Sequence, residues 1–278
     1  MSATGSTLVK TVCRVMQRIA PLHLAEPWDN VGLLLEAPHQ RAGNRVLLTI
    51  DVTPPVVEEA LSSQTACIIA YHPTLFHSTK KFTLSTPVHA SLLRLATAGI
   101  SVYSPHTALD SVTQGINDWL SMGLLGLLTS ERYEIQSIRP MKEESDGAVG
   151  RILTLGDGIE FTALLDRVKK HLGLSQLQVA YPYSRLSSKV SSVAICAGAG
   201  GSVLAEADAD VYYTGEMAHH EVLAAISSGK YVILCGHTNT ERGFLPTLKS
   251  KLEDSELAKE LNMEMHISKA DKHPLEFF

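Results

Sequence analysis

Six short apolar runs, dense in Val and Ile, constrain most strongly what this chain can fold into. They are VLLTID (46–51), CIIAY (67–71), ISVYS (100–104), VSSVAICA (190–197), DVYYT (210–214) and YVILCG (231–236). Several run apolar without the alternation of a half-exposed strand, as strands covered on both faces do. Between them lie helical patterns at 55–63, 87–98, 114–122, 160–172, 217–228 and 241–252. Pro55 stands at a favourable first-turn position and Gly99 just past a helix end. Ahead of the first run, Leu8, Val12, Val15, Met16 and Ile19 recur at helical spacing and stop at Pro21, which predicts an amphipathic first helix. Strand–helix alternation of this kind predicts an α/β protein with helices layered on sheets.

The 278 residues suit about two domains, and a chain of this size can bury about 70–75% of its unfolded surface. The stretch 129–159 is rich in turn formers and charge. It predicts a boundary near 130, between an N-terminal α/β lobe (1–130) and a C-terminal one (131–278). A hydrophobic share of 45% with 19% charged residues excludes a disordered chain. The net charge of −5 argues against direct nucleic-acid binding along a broad face. No apolar run reaches the ~18–20 residues of a membrane span. The first 25 residues hold Lys10, Arg14 and Arg18 and no acid, a bias shared with transit peptides; the helical spacing assigns them to the fold instead. Cys13, Cys67, Cys196 and Cys235 are far apart and form no metal knuckle, so they read as reduced thiols, the last three in apolar strands.

The chain holds 12 histidines, and imidazole is the commonest metal ligand. Polar motifs follow four of the expected strands, where open α/β sheets place their ligands. These are Tyr71-His72-Pro73 with His77 beyond, His106-Thr107-Ala108-Leu109-Asp110, Gly215-Glu216 leading to His219-His220, and His237-Thr238-Asn239-Thr240-Glu241. On a helix, His237 and Glu241 would share one face and could share a divalent cation; a capped helix entry is the competing reading. His219 and His220 point to different faces, so at most one serves a given site. Asp29 lies in a Trp-Asp-Asn turn before the apolar residues 33–35, and Asp51 precedes a helix, so turn and cap roles account for both. The glycines of GAGGS (198–202) form a plausible anion nest.

Taken together, LAEPWDNVGLLLE (24–36), LLTIDVTPPVVEEA (47–60), YHPTLFHSTKKFT (71–83), VYSPHTALD (102–110), VAICAGAGGSVL (193–204), YYTGEMAHHE (212–221) and GHTNTERGF (236–244) resemble the Nif-three-like family, known in many bacteria as GTP cyclohydrolase I type 2 homologues. Their wording is most similar to eukaryotic members. The resemblance implies two interlinked α/β lobes with a metal site in the cleft between them, and a toroidal homohexamer. It implies His72, Asp110, His237 and Glu241 as ligands of one or two divalent metals (zinc, iron or manganese). His106, His219 and His220 become candidates for supporting the ligands or for acid–base work. Bacterial members carry two consecutive histidines in the first motif; here the first is Tyr71. A phenol with a pKa near 10 is a poor ligand, so one ion is weakened or lost. The segment 129–150 is also too short for the small domain that longer members insert.

The tyrosine favours a scaffold or transcription-related cofactor, and the resemblance to eukaryotic members implies protein partners such as transcriptional regulators and residence in the cytoplasm and also the nucleus. The alternative is a dinuclear metal-dependent hydrolase of a nucleotide-like or other small substrate.

Overall fold

The computed structural model describes residues 3–125, 132–140, 147–184 and 188–276. Helix α1 (Ala3–Ile19) buries Leu8, Val12, Val15 and Met16, the expected apolar stripe. Strands β1 (Gly32–Leu35) and β2 (Arg45–Thr49), helix α2 (Pro54–Ser62), strand β3 (Thr65–Ala70), helix α3 (Pro87–Thr97) and strand β4 (Ser101–Ser104) follow. Next come α4 (His106–Ser111), α5 (Ile116–Leu125), β5 (Tyr133–Pro140), β6 (Ala148–Glu160), α6 (Phe161–Leu172), β7 (Gln178–Ala180) and β8 (Lys189–Ala199). The chain ends with α7 (Gly201–Leu204), β9 (Val211–Glu216), α8 (His219–Ser227), β10 (Tyr231–Leu234), α9 (Leu245–Glu253), α10 (Glu256–Glu260) and β11 (Glu264–Ile267).

Contacts sort the chain into two compact units. The first is Met1–Leu109 with Phe244–Phe278, and the second is Asp110–Gly243. The expected boundary near 130 lies outside the described residues. No sequence signal announced that the C-terminal segment rejoins the first unit. It does so by pairing β11 in parallel with β2.

The sheet of the first unit has the order β1-β4-β3-β2-β11, with β1 antiparallel to β4 and the other pairs parallel. All six residues of β3 are buried, as its unbroken apolar run requires of a strand covered on both faces. Leu47, Ile68 and Val102 from three strands pack with Val56 and Val57 of α2 and Leu95 of α3.

The second unit holds the order β5-β6-β8-β9-β10-β7. Its centre, β8-β9-β10, is parallel, while β5, β6 and β7 join antiparallel. Here the sequence reading fails. Most of the stretch taken as turn-rich and charged, 129–159, consists of β5 and β6. Glycines at 150, 156 and 158 and the charge of Arg151 disguised β6. Yet Arg151 is only 4% exposed, its charge met by Asp118 and by backbone carbonyls. A second correction concerns 241–252: a short 3₁₀ turn, Arg242–Phe244, occupies its start, after another at His237–Thr240, and α9 begins only at Leu245.

The four cysteines are free. Cys67, Cys196 and Cys235 are buried, and burial pushes the thiols of Cys67 and Cys235 far up.

Candidate metal centre

Each unit carries its own polar constellation at the carboxyl ends of its parallel strands. In the first, β3 runs on past Ala70 along the path of β2. The Tyr71 N–H donates to the Thr49 carbonyl (2.9 Å) and the His72 N–H to that of Ile50 (3.0 Å). This register sets His72 opposite Asp51, and His72 Nδ1 lies 2.9 Å from Asp51 Oδ1. Asp51 therefore does not have the capping role expected of it. Thr53 is the N-cap of α2, and no side chain caps that helix.

The second histidine here, His106, follows β4 and opens α4 with φ of +30°. A left-handed non-glycine residue costs about 1–3 kcal/mol and persists only where its surroundings hold it. Asp29 does the holding. Its Oδ1 meets His106 Nδ1 at 2.8 Å, and its Oδ2 accepts the Thr107 N–H at 3.1 Å as well as the Thr107 hydroxyl. Burial, with the side chain 0% exposed, pushes the Asp29 carboxyl up. The hydrogen bonds from His106 and Thr107 outweigh it, and the group ends below the ordinary aspartate value. The turn reading of Asp29 was thus incomplete.

Tyr71 is 3% exposed, its ring centre 5.0 Å from that of His72 and 5.5 Å from that of His106. A cavity of about 430 Å³ opens beside Asp51 and His72, walled by Val52, Pro54, Leu92 and Lys272.

In the second unit β8, β9 and β10 end together. His237, just past β10, sets Nδ1 2.8 Å from Glu216 Oε1 at the end of β9, and Nε2 3.3 Å from Glu241 Oε1. Glu241 is 1% exposed. The expected pairing of His237 with Glu241 is present, although a 3₁₀ turn and not an α-helix brings it about.

Glycine makes the approach possible. A Cβ on Gly198 (φ +63°) would lie 2.7 Å from Glu241 Oε1 and 2.9 Å from His237 Nε2, and one on Gly215 would lie 2.7 Å from His237 Cα. The Gly198 N–H donates to Thr240 Oγ1 (2.9 Å), and the Thr214 hydroxyl donates to the Gly198 carbonyl (3.0 Å). Gly198, first read as part of an anion nest, thus packs directly against two metal-ligand candidates.

Asp110 lies half-buried on α4, its carbonyl accepting Asn117 Nδ2 at 3.0 Å. His219 and His220 open α8, both exposed, with ring centres 5.4 Å apart. Asp29, Asp51 and Glu216 are carboxylates that the sequence did not mark as partners of these histidines. Each lies in a segment carrying the family resemblance, and each stands 21 to 77 residues from its histidine.

The family model of Duf34/NIF3 (NGG1p interacting factor 3) matches residues 7–274. The chain belongs to this family. It is 45% identical over 269 residues to the NIF3 homolog of Schizosaccharomyces pombe, covering 94% of this chain and 95% of that protein. It is 36% identical over 287 residues to the NGG1-interacting factor 3 of Saccharomyces cerevisiae, covering 98% and 97%. A solved Bacillus cereus protein related to NIF3 shares the fold, with a TM-score of 0.77 at 21% identity and coverage of 97% and 98%. The α/β fold of the two units, shared with that protein, matches the expectation from the motifs.

A carboxylate on histidine Nδ1 fixes the ring and its tautomer, leaving the Nε2 lone pair for a metal. Asp51→Asn is therefore expected to weaken divalent metal binding by about 10–100-fold, the usual effect of removing such a partner. Titration of metal-stripped protein with zinc against a competing chelator checks this; wild-type affinity in the variant would remove Asp51 from the metal centre.

Proposed function

We propose that this NIF3-family chain holds a divalent cation through the ligands that the family resemblance implies, His72, Asp110, His237 and Glu241, and uses it to hydrolyse a small substrate. His72, His237 and Glu241 each offer a nitrogen or oxygen of the kind such a cation takes. The observation that carries the reading is the pair of oriented imidazoles: Asp51 holds His72 and Glu216 holds His237, both through Nδ1. A surface that only docks a protein gains nothing from fixing an imidazole tautomer, whereas a metal ligand depends on it. Two imidazoles with carboxylates suit zinc, iron or manganese.

A bound cation would polarise a substrate oxygen and make nearby water more acidic. His106, its Nδ1 held by Asp29, has Nε2 left to take or give a proton. The cavity beside His72 would admit the substrate. Tyr71, enclosed where bacterial relatives have a histidine, limits the centre to one ion.

Metal analysis of protein purified without chelator tests the reading. About one equivalent per chain is expected, lost in His237→Ala and Glu241→Ala and rising toward two in Tyr71→His. Less than about half an equivalent, unchanged by added zinc, manganese or iron, would overturn it.

A second reading, a scaffold acting through a protein partner, is favoured by the name of the Saccharomyces cerevisiae relative, NGG1-interacting factor 3. Capture of a transcriptional regulator undiminished in Glu241→Ala would support a scaffold independent of the metal. The homohexamer and the cytoplasmic and nuclear residence implied by the family resemblance belong to the same proposal; sizing near six chain masses checks the first.

A further inference from the structure

The cationic stripe of α1 is the sequence feature that the metal centre leaves unexplained. Arg14 and Arg18 stand four residues apart, and the helix contains no acidic residue. Like charges at this spacing repel. Among the described residues, neither guanidinium has an ion-pair or hydrogen-bond partner. Burial, and after it the nearby charge of Glu36, push the Cys13 thiol up, and among the described residues Glu36 is paired with neither arginine.

Both arginines border a pocket of about 560 Å³ in the first unit, with Leu22 and Leu33 as apolar walls and Tyr103 on β4 lining it. Tyr103 is 2% exposed, and its hydroxyl is sealed from solvent without a hydrogen-bond partner. A buried hydroxyl left unmatched costs stability that an incoming acceptor recovers. Two unneutralised guanidiniums and an unmatched phenol thus border the same space. Gln17 adds a further donor, since its Oε1 accepts from the Leu22 N–H (3.3 Å) and its amide NH₂ stays available.

From this we infer that the pocket is a second ligand site, separate from the metal motifs, for a small organic phosphomonoester. Arginine forks match phosphate oxygens in pairs, and a phosphate has enough oxygens for two guanidiniums and a phenol together. The pocket is far larger than an inorganic ion, and its aliphatic walls suit a carbon skeleton attached to the phosphate.

Calorimetric titration of the full chain with phenyl phosphate, inorganic phosphate and phenylacetate tests the site. Phenyl phosphate is expected to bind one per chain, at least about tenfold tighter than either control, tenfold corresponding to about 1.4 kcal/mol. The Arg14→Gln/Arg18→Gln variant, which changes only exposed side chains, should bind at least about tenfold more weakly, because charge-assisted hydrogen bonds are worth that much. Tyr103→Phe should weaken binding severalfold and melt no lower than the wild type, since it deletes an unmatched hydroxyl. Metal content should stay the same in all three proteins, so failure here is distinguishable from failure of the metal centre. No saturable binding of phenyl phosphate in the millimolar range would overturn the site, as would unchanged affinity in the arginine variant. Phenylacetate binding as tightly as phenyl phosphate would overturn the assignment to phosphate.

Discussion

Gly198→Ala is expected to empty the metal centre. Two separate effects act at this position. The backbone is left-handed at φ +63°, which costs a residue with a Cβ roughly 1–2 kcal/mol. The added methyl would also sit 2.7 Å from Glu241 Oε1 and 2.9 Å from His237 Nε2. Those are the atoms proposed to face the cation, so the methyl must displace them or occupy the cation's side of the pair. Loss of a supporting carboxylate alone costs about 10–100-fold in metal affinity, and displacement of two ligand atoms should cost at least that. Elemental analysis of Gly198→Ala should show little metal, with a thermal midpoint lowered by only a few degrees for a strain of this size. A variant that folds and keeps its full metal complement would show that His237 and Glu241 do not need the space the glycine leaves.

The largest effect on stability should come from Arg151→Ala. The guanidinium makes two bonds to Asp118, at 2.6 and 3.0 Å, and donates to the carbonyls of Ala148 (2.6 Å) and Gly150 (2.9 Å). It also reaches the carbonyls of Ser111 and Val112, both at 3.3 Å. One side chain thereby ties the end of α4 and the start of α5 to β6. Truncation leaves a carboxylate and several carbonyls without their donor. Breaking a buried charge pair on one side costs about 3–5 kcal/mol. At about 2–4 °C per kcal/mol, the melting midpoint should fall by about 10 °C. Arg151→Lys should recover little, because an ammonium cannot reproduce the fork. A loss below about 1 kcal/mol in a denaturant titration would show that water replaces the guanidinium at small cost.

Much of the fold could be read in the sequence because its signals are local. Uninterrupted Val and Ile runs gave the parallel strands of both units, and periodic apolar positions gave α1, α2, α3 and α6 within a few residues. The other strands were less visible. β6 carries three glycines and a buried arginine, and β7 and β11 have three and four residues. At such sites pairing with a neighbour, and not intrinsic preference, decides the strand.

The candidate site divides in the same way. His72, His106, His237 and Glu241 stood out because each follows a strand or an expected helix entry at the carboxyl end of a sheet. Tyr71 was recognisable as an altered ligand position from its place beside His72. The supporting carboxylates did not stand out, since an aspartate in a turn and an aspartate before a helix have ordinary local roles. What the sequence determined by itself was the layering of strands and helices, the strand ends that carry chemistry, and the family. The tertiary structure alone decided that Asp29, Asp51 and Glu216 each orient a histidine, that Gly198 makes room beside two of the candidate ligands, and that Tyr103 lines the same pocket as a pair of unneutralised arginines. Each of those facts is a distance between residues far apart in the chain, set by strand register and by the close approach glycine permits, and neither quantity is written in any local run of residues.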